Sequence, residues 1–149
     1  MEENIKVKKA EERDFKRIAE LYKQGFSEEP YNEPWTFEKA LDKIKLFESY
    51  CDIYVALLEE NVVGFIIVNS NQWFPGEVVF IEEIVVERDF RKNGVAKKFI
   101  RNIEEIYKEK GYKELILISN KKSKAYEIWK KLGFSENNEN ILINKKLVE

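Results

Sequence analysis

The feature that most narrows what this chain can fold into lies between Val78 and Ile106. Val78 to Val86 is an apolar run interrupted by two adjacent acids, Glu82 and Glu83. A polar turn, Glu87 to Asn93, follows, and Gly94-Val95-Ala96 opens an amphipathic segment with Ala96, Phe99, Ile100, Ile103 and Ile106/Tyr107 on one stripe. The pattern predicts strand, tight turn and helix. No bulky side chain stands where the helix begins, so its backbone N–H groups can be approached closely. Unpaired N–H groups and the helix dipole together favour an anion there. Arg91 and Lys92 lie just before this point, and Lys97 and Lys98 just after it.

The rest of the chain organises around that unit. Ile5 and Val7 alternate with lysines as a short first strand. Asp14 is placed to cap a helix carrying Phe15, Ile18, Leu21 and Tyr22 on one face, and Thr36 to cap a second carrying Phe37, Ala40, Leu41, Ile44 and Phe47. Asp52 to Leu58, the turn Glu59-Glu60-Asn61 and Val62 to Val68 read as a hairpin. Leu115 to Ser119 is a short strand. Asn120 or Ser123 caps a last helix with the stripe Ala125, Ile128, Trp129 and Leu132, stopped by Gly133, and Ile141 to Leu147 alternates as a final strand. No linker or repeat interrupts the 149 residues, so a single domain over 1–149 with one sizeable core is expected.

Composition removes several classes of function. A net charge of −2, from interleaved acids and bases, provides no global field for nucleic acid or an anionic membrane. No apolar N-terminal run and no stretch of about 20 apolar residues is present, so neither a leader nor a membrane span is expected, and the chain reads as cytoplasmic. A lone Cys51 excludes an intrachain disulfide or a cysteine zinc framework. The absence of histidine excludes Ser-His-Asp and Cys-His schemes and His-ligated zinc, and no metal site is expected. Proton transfer must use Glu, Asp, Tyr, Lys or water.

Arg91-Lys92-Asn93-Gly94-Val95-Ala96 resembles the Arg/Gln-x-x-Gly-x-Gly/Ala signature of the GNAT superfamily of acyl-CoA-dependent N-acetyltransferases. Ala125-Tyr126-Glu127-Ile128-Trp129-Lys130-Lys131-Leu132-Gly133-Phe134 resembles that family's ending, a helix closed by Leu-Gly-Phe. The resemblance spans Ile5 to Leu147. It implies an α/β (α+β) architecture, the GNAT acyl-CoA N-acyltransferase fold, with a mixed central sheet flanked by helices. It also implies acetyl-CoA as the cofactor. Its pyrophosphate would be wrapped by Arg91, Lys92, Asn93, Gly94, Val95, Ala96 and Lys97, and its thioester arm would lie along Ile84, Val85 and Val86. The resemblance places a backbone N–H at Val85 or Val86, beside a β-bulge, to polarise the thioester as an oxyanion hole does. Asn120 either hydrogen-bonds the pantetheine or caps the last helix.

Transfer to an amine also requires a base, since a free alkyl amine with a pKa near ~10.4 arrives protonated. Glu82 and Glu83 are the candidates. In a regular strand neighbours point to opposite faces, so without a bulge only one can serve. Glu82 is favoured because relatives with an acidic pair often use the first acid, although either acid in a strand can equally be an ion pair or a substrate anchor. The family tyrosine that protonates the departing thiolate is replaced by Trp129, whose indole is not a practical acid. Tyr126, one turn earlier, can substitute or simply pack. The acids and aromatics of Glu28 to Trp35, with Trp73-Phe74, suit a cationic amine acceptor, whether small molecule, peptide or protein. The expected function is direct acetyl transfer to a primary amine; the alternative is a catalytically silent acyl-CoA-binding module. A homodimer matches family habit.

Overall fold

The computed structural model describes residues 2–148. The chain runs β1 (Ile5–Lys9), α1 (Phe15–Ser27), α2 (Phe37–Glu48), β2 (Asp52–Leu58), β3 (Asn61–Asn69), β4 (Val78–Val86), α3 (Val95–Glu109), β5 (Glu114–Leu117) and α4 (Ala125–Lys131). The strands form one sheet in sequence order, antiparallel except for the parallel β4–β5 pair. The sheet is therefore mixed, as expected. α1 and α2 cover one face, with Ile18, Leu21, Ile44 and Phe47 packed on Val55, Phe65 and Ile67. α3 and α4 cover the other, with Phe99, Ile100, Ile103 and Trp129 on Ile66, Val68, Val79 and Ile81. β3, covered on both sides, is buried from Val62 to Val68.

Close approach of α3 to the sheet depends on one glycine. A Cβ at Gly64 would lie 2.9 Å from the Val85 carbonyl oxygen and 3.2 Å from the Phe99 ring. Without that Cβ, α3 lies directly on β3 and β4, and its first turn is held beside the end of β4.

Local expectations meet mixed outcomes. The Thr36 hydroxyl accepts from the Lys39 N–H at 3.2 Å, capping α2. Asp14 does not cap α1; it ends a short 3-10 turn and its carboxylate accepts from the Glu11 N–H at 2.9 Å. Ile128, expected to face inward, is exposed, because α4 is short and offers the sheet little beyond Trp129. The final strand expected over Ile141 to Leu147 does not form: every residue from 135 to 148 is exposed and none joins the sheet. Alternation makes a segment fit to be a strand, but the ladder partner makes it one. Among the described residues, no helix is long and apolar enough to cross a membrane.

Candidate active site

β4 is regular at both ends and irregular in the middle. Ile67 of β3 pairs with Glu83 and Val68 with Ile81, so Glu82 is an extra residue, a β-bulge. Ile81 and Ile84, three apart, both pack under α3. Both acids between them therefore turn to the opposite face, beneath α1 and α2. The bulge removes the alternation that would have admitted only one.

The bulge also marks where β4 and β5 part. β4 pairs with β5 only from Val78 to Ile81. Beyond Glu82 that edge of β4 is open, while the β3 edge stays paired through Val86. The Glu87 N–H donates to the Val63 carbonyl at 2.8 Å. Antiparallel alternation then directs Val85 towards β3, and Ile84 and Val86 towards the open edge. The Val86 carbonyl on that side accepts from Arg91 Nε at 3.0 Å. Of the three residues expected along the cofactor, Ile84 and Val86 thus present backbone to the opening. Val85 instead puts its side chain against Gly25 of α1, where a Cβ would meet it at 3.0 Å.

The two acids have different surroundings. Burial, the neighbouring Glu82 and Glu33 together push the Glu83 carboxyl up to about 7, against the pull of Lys43 from α2. The Glu82 carboxylate accepts from Asn69 Nδ2 at 3.1 Å, and Asn69 is buried. The Asn69 carbonyl in turn accepts from the Asn71 N–H at 2.9 Å, fixing the amide. Burial, with Glu83, Glu33 and Glu82 nearby, also raises the Tyr22 phenol. Tyr22 meets Trp35 edge-on at 4.8 Å and Phe26 at 4.7 Å, and Trp35 Nε1 donates to Glu33 at 3.0 Å. An aromatic wall with carboxylates along it thus faces the bulge. Tyr22, Asn69 and Lys43 escaped sequence reasoning: Tyr22 sits on an apolar helix stripe, Asn69 reads as the start of a loop, and Lys43 is one lysine among many.

The turn after β4 brings the basic loop to the opening. Arg88–Phe90 is a 3-10 turn, Lys92 has φ 66° and Gly94 φ 84°, and α3 starts at Val95. The left-handed backbone at Gly94 is what a glycine provides at little cost. The Lys98 N–H donates back to the Gly94 carbonyl at 2.9 Å, so α3 is wound from its first residue. Lys92 and Lys97 are exposed, and Asn93, Gly94 and Ala96 half-buried. The Arg91 guanidinium is already engaged. Besides Val86 it binds Glu28 at 2.6 Å, and Arg88 binds the other oxygen of the same carboxylate. Burial works against the Glu28 charge, but the two guanidiniums prevail and hold it below the usual carboxylate range. Glu28 thereby ties the α1–α2 loop to the basic loop.

Against this geometry, the family model for the acetyltransferase (GNAT) family matches residues 11–134. The chain belongs to the GNAT family. GNAT-like folds recur among its structural neighbours. A possible acetyltransferase from Clostridium difficile 630 superposes with a TM-score of 0.80 at 17% identity, over 97% of this chain and 99% of that one. Aminoglycoside N-acetyltransferase AAC(6')-Iy in complex with CoA gives 0.76 at 20% identity, over 97% and 95%. Aminoglycoside acetyltransferase meta-AAC0020 from an uncultured soil metagenomic sample, in complex with sisomicin, gives 0.72 at 19% identity, over 98% of each chain. At these identities the likeness is one of fold. No curated protein sequence matches the chain.

The GNAT ending has its own local logic. Trp129 is buried and meets Phe134 edge-on at 5.9 Å, so at the expected tyrosine position this chain has a core residue. The Tyr126 hydroxyl is bound to the Glu136 carboxylate, with the Lys130 ammonium 4.4 Å from its ring centre. Asn120 is exposed and its side-chain carbonyl accepts from the Lys122 N–H at 2.8 Å, closing the turn ahead of α4. Beside Asn120 the Ser119 hydroxyl is buried without a partner among the described residues, while the Ser123 hydroxyl lies against the Tyr31 phenol. Ser119 lies two residues past Leu117, the last to pair with β4, on the β5 side of the opening. Burial pushes the Cys51 thiol up to about 12, leaving it a poor nucleophile.

Proposed function

We propose that this GNAT protein is an N-acetyltransferase, a single domain over 1–149, that moves the acetyl group of acetyl-CoA directly to a primary amine. The observation that carries the reading is the place of Glu83: a half-buried carboxyl next to a β-bulge, among carboxylates that with burial push it up to about 7, beside a strand edge with backbone groups on offer. A base near neutrality serves the reaction, because it is ionised when the amine arrives and basic enough to take its proton. Glu83 is our choice of base over Glu82, whose carboxylate is committed to Asn69 and serves better to anchor the acceptor cation.

The residues at the opening fit the acetyl donor. The outward N–H of Val86, or of Ile84, is placed to polarise the thioester carbonyl. The first turn of α3, with Asn93, Gly94, Val95, Ala96 and Lys97, offers N–H groups to the pyrophosphate, and the exposed Lys92 adds charge. The unpaired hydroxyl of Ser119 is suited to an amide of the pantetheine arm, a role that Asn120, busy in its turn, fills less well. Bound thioester supplies an activated acyl carbon. Glu83 removes the ammonium proton, and solvent or Tyr126 returns one to the departing thiolate.

The acceptor reading is a cationic small molecule. Glu33, Glu82, Glu83, Trp35 and the exposed Trp73 and Phe74 offer charge and ring faces to an ammonium. Two fold relatives being aminoglycoside acetyltransferases supports this class. Incubation with isotopically labelled acetyl-CoA and pooled polyamines, aminoglycosides, amino acids and peptides, read by mass spectrometry, tests the reading. A labelled product lost in Glu83→Gln supports it.

A second reading, a silent acyl-CoA-binding module, draws on Trp129 being core and Tyr126 being held by Glu136. Tight acetyl-CoA binding with no labelled product from the pool would favour it.

A further inference from the structure

The last helix leaves a departing thiolate without a proton donor. Trp129 is buried against Phe134, and the Tyr126 hydroxyl is taken up by Glu136. Another phenol reaches the opening from a different element. It is Tyr31, in the loop of residues 28–36 that joins α1 to α2. That loop touches both walls of the opening. On the β4 side Glu28 holds Arg88 and Arg91, the latter at 2.6 Å. On the β5 side the Tyr31 phenol lies against the hydroxyl of Ser123, just ahead of α4.

Between these anchors the chain doubles back. The N–H groups of Tyr31 and Asn32 both donate to the Glu28 carbonyl at 3.0 Å, and the Glu33 N–H donates to the Phe26 carbonyl at 2.9 Å. The Tyr31 ring meets Phe26 edge-on at 5.0 Å. Backbone, ring and carboxylate together thus hold Tyr31 as part of a strap across the opening, while 39% exposure leaves it open to a ligand. Glu83, Glu33 and Arg91 are the charged groups that act on its phenol. Burial, the foremost influence, lifts the phenol above its ordinary range; Ser123 and Arg91 pull it down, against Glu83 and Glu33. The hydroxyl therefore carries its proton at neutral pH. The Ser123 hydroxyl and the Arg91 guanidinium favour the phenolate once that proton has gone.

We propose that Tyr31, carried by the strap between α1 and α2, is the group that hands a proton to the sulfur of coenzyme A in the opening. This rests on the acyl-CoA reading given above and fills the role that Trp129 leaves vacant. Tyr31 gives up its O–H proton as the carbon–sulfur bond breaks and the electron pair of that bond passes to sulfur, so an S–H bond forms as the O–H bond is lost. The ammonium loses two protons on becoming an amide, and Glu83 takes the first. One of the two reaches the Tyr31 phenolate through solvent, and the other leaves with solvent.

The ionisation of the bound thiol tests the proposal. It is read by NMR from CoA labelled with carbon-13 at the carbon bearing sulfur, on wild type, Tyr31→Phe and Tyr126→Phe, each saturated as judged by calorimetry. Tyr31→Phe keeps the ring on Phe26 and removes only the hydroxyl, so its fold, checked by circular dichroism, should match the parent. A phenol donating to sulfur favours the thiolate, so the thiol in the wild-type complex should titrate below that of free CoA. Tyr31→Phe should raise its pKa by about one to two units, the worth of a hydrogen bond to a charged group. Tyr126→Phe should leave it in place. Equal titration in wild type and Tyr31→Phe would overturn the proposal and leave acetyl transfer through Glu83 standing. So would a shift in Tyr126→Phe alone. A shift confined to Tyr31→Phe, with no acetylated product from the amine pool, would uphold the contact to sulfur and favour the silent module. Failure of the wild-type chain to bind CoA would overturn both readings.

Discussion

At the scale of the residue, Glu83 links the proposed chemistry to stability. With a carboxyl held at about 7, kcat/KM should rise with pH and level off above that value as Glu83 ionises. Glu83→Gln should lower kcat about 10²- to 10⁴-fold, the usual range for a lost general base. Acetyl-CoA affinity by titration calorimetry should stay unchanged. Stability should respond in the opposite sense. The folded-state value lies above the ~4.3 of an unfolded glutamate, so the fold prefers the neutral acid. That preference is fully present below pH ~4.3 and is lost as pH rises through about 7. Urea melts should therefore find Glu83→Gln more stable than wild type at pH 8, by on the order of 2 kcal/mol, with the gap shrinking as pH falls towards 4. The acidic pair was plain in the sequence, but its geometry was not. A one-residue slip between Ile67 and Val68 sets both acids on one face, and nothing in the order of side chains announces it.

At the scale of the element, legibility followed how much each segment depends on itself. α3, with a full apolar stripe, a glycine at its start and Gly111 at its end, was readable almost to the residue, because a helix satisfies its own backbone. The β2–β3 hairpin was readable because its two strands adjoin in sequence. α4 was readable as a helix stopped by Gly133 but not in the face it buries, and the segment after it was not readable, since what it becomes depends on surfaces elsewhere. Gly64 is the clearest case of an element placed by a distant residue. Gly64→Ala puts a methyl group 2.9 Å from the Val85 carbonyl, too close to keep, and the Phe99 ring must also give way. The expected cost is about 1–3 kcal/mol in thermal or urea melts, as for other overpacked sites. Acetyl-CoA affinity should weaken too, because the first turn of α3 rides on Phe99.

At the scale of the whole molecule, binding at the opening should join parts that pack separately. α1 and α2 share one core, α3 and α4 the other, and the sheet lies between them. Acetyl-CoA at saturating concentration should raise the melting temperature, since a ligand bound only by the native state must do so. A chain carrying Gly94→Glu, which strains the φ 84° turn and sets a carboxylate at the phosphate position, should show no such rise. The absence of histidine and the strand–turn–helix unit showed from sequence where such chemistry could sit; the opening itself is made by β5 pairing for only part of β4's length, which no local pattern encodes.

That half-paired strand has a kinetic signature. In an ordinary central strand neighbouring amides trade hydrogen for deuterium at similarly slow rates, since each is locked on one side or the other. In the last turns of the β4 pleat the lock exists on one side only. The amides of Glu83 and Val85 should exchange only when the sheet itself opens, whereas Ile84 and Val86, one residue away and no nearer the surface in sequence, should exchange far sooner. The result would be a sawtooth of period two within a single strand. Adding acetyl-CoA should flatten that sawtooth, leaving the rates at Glu83 and Val85 where they were.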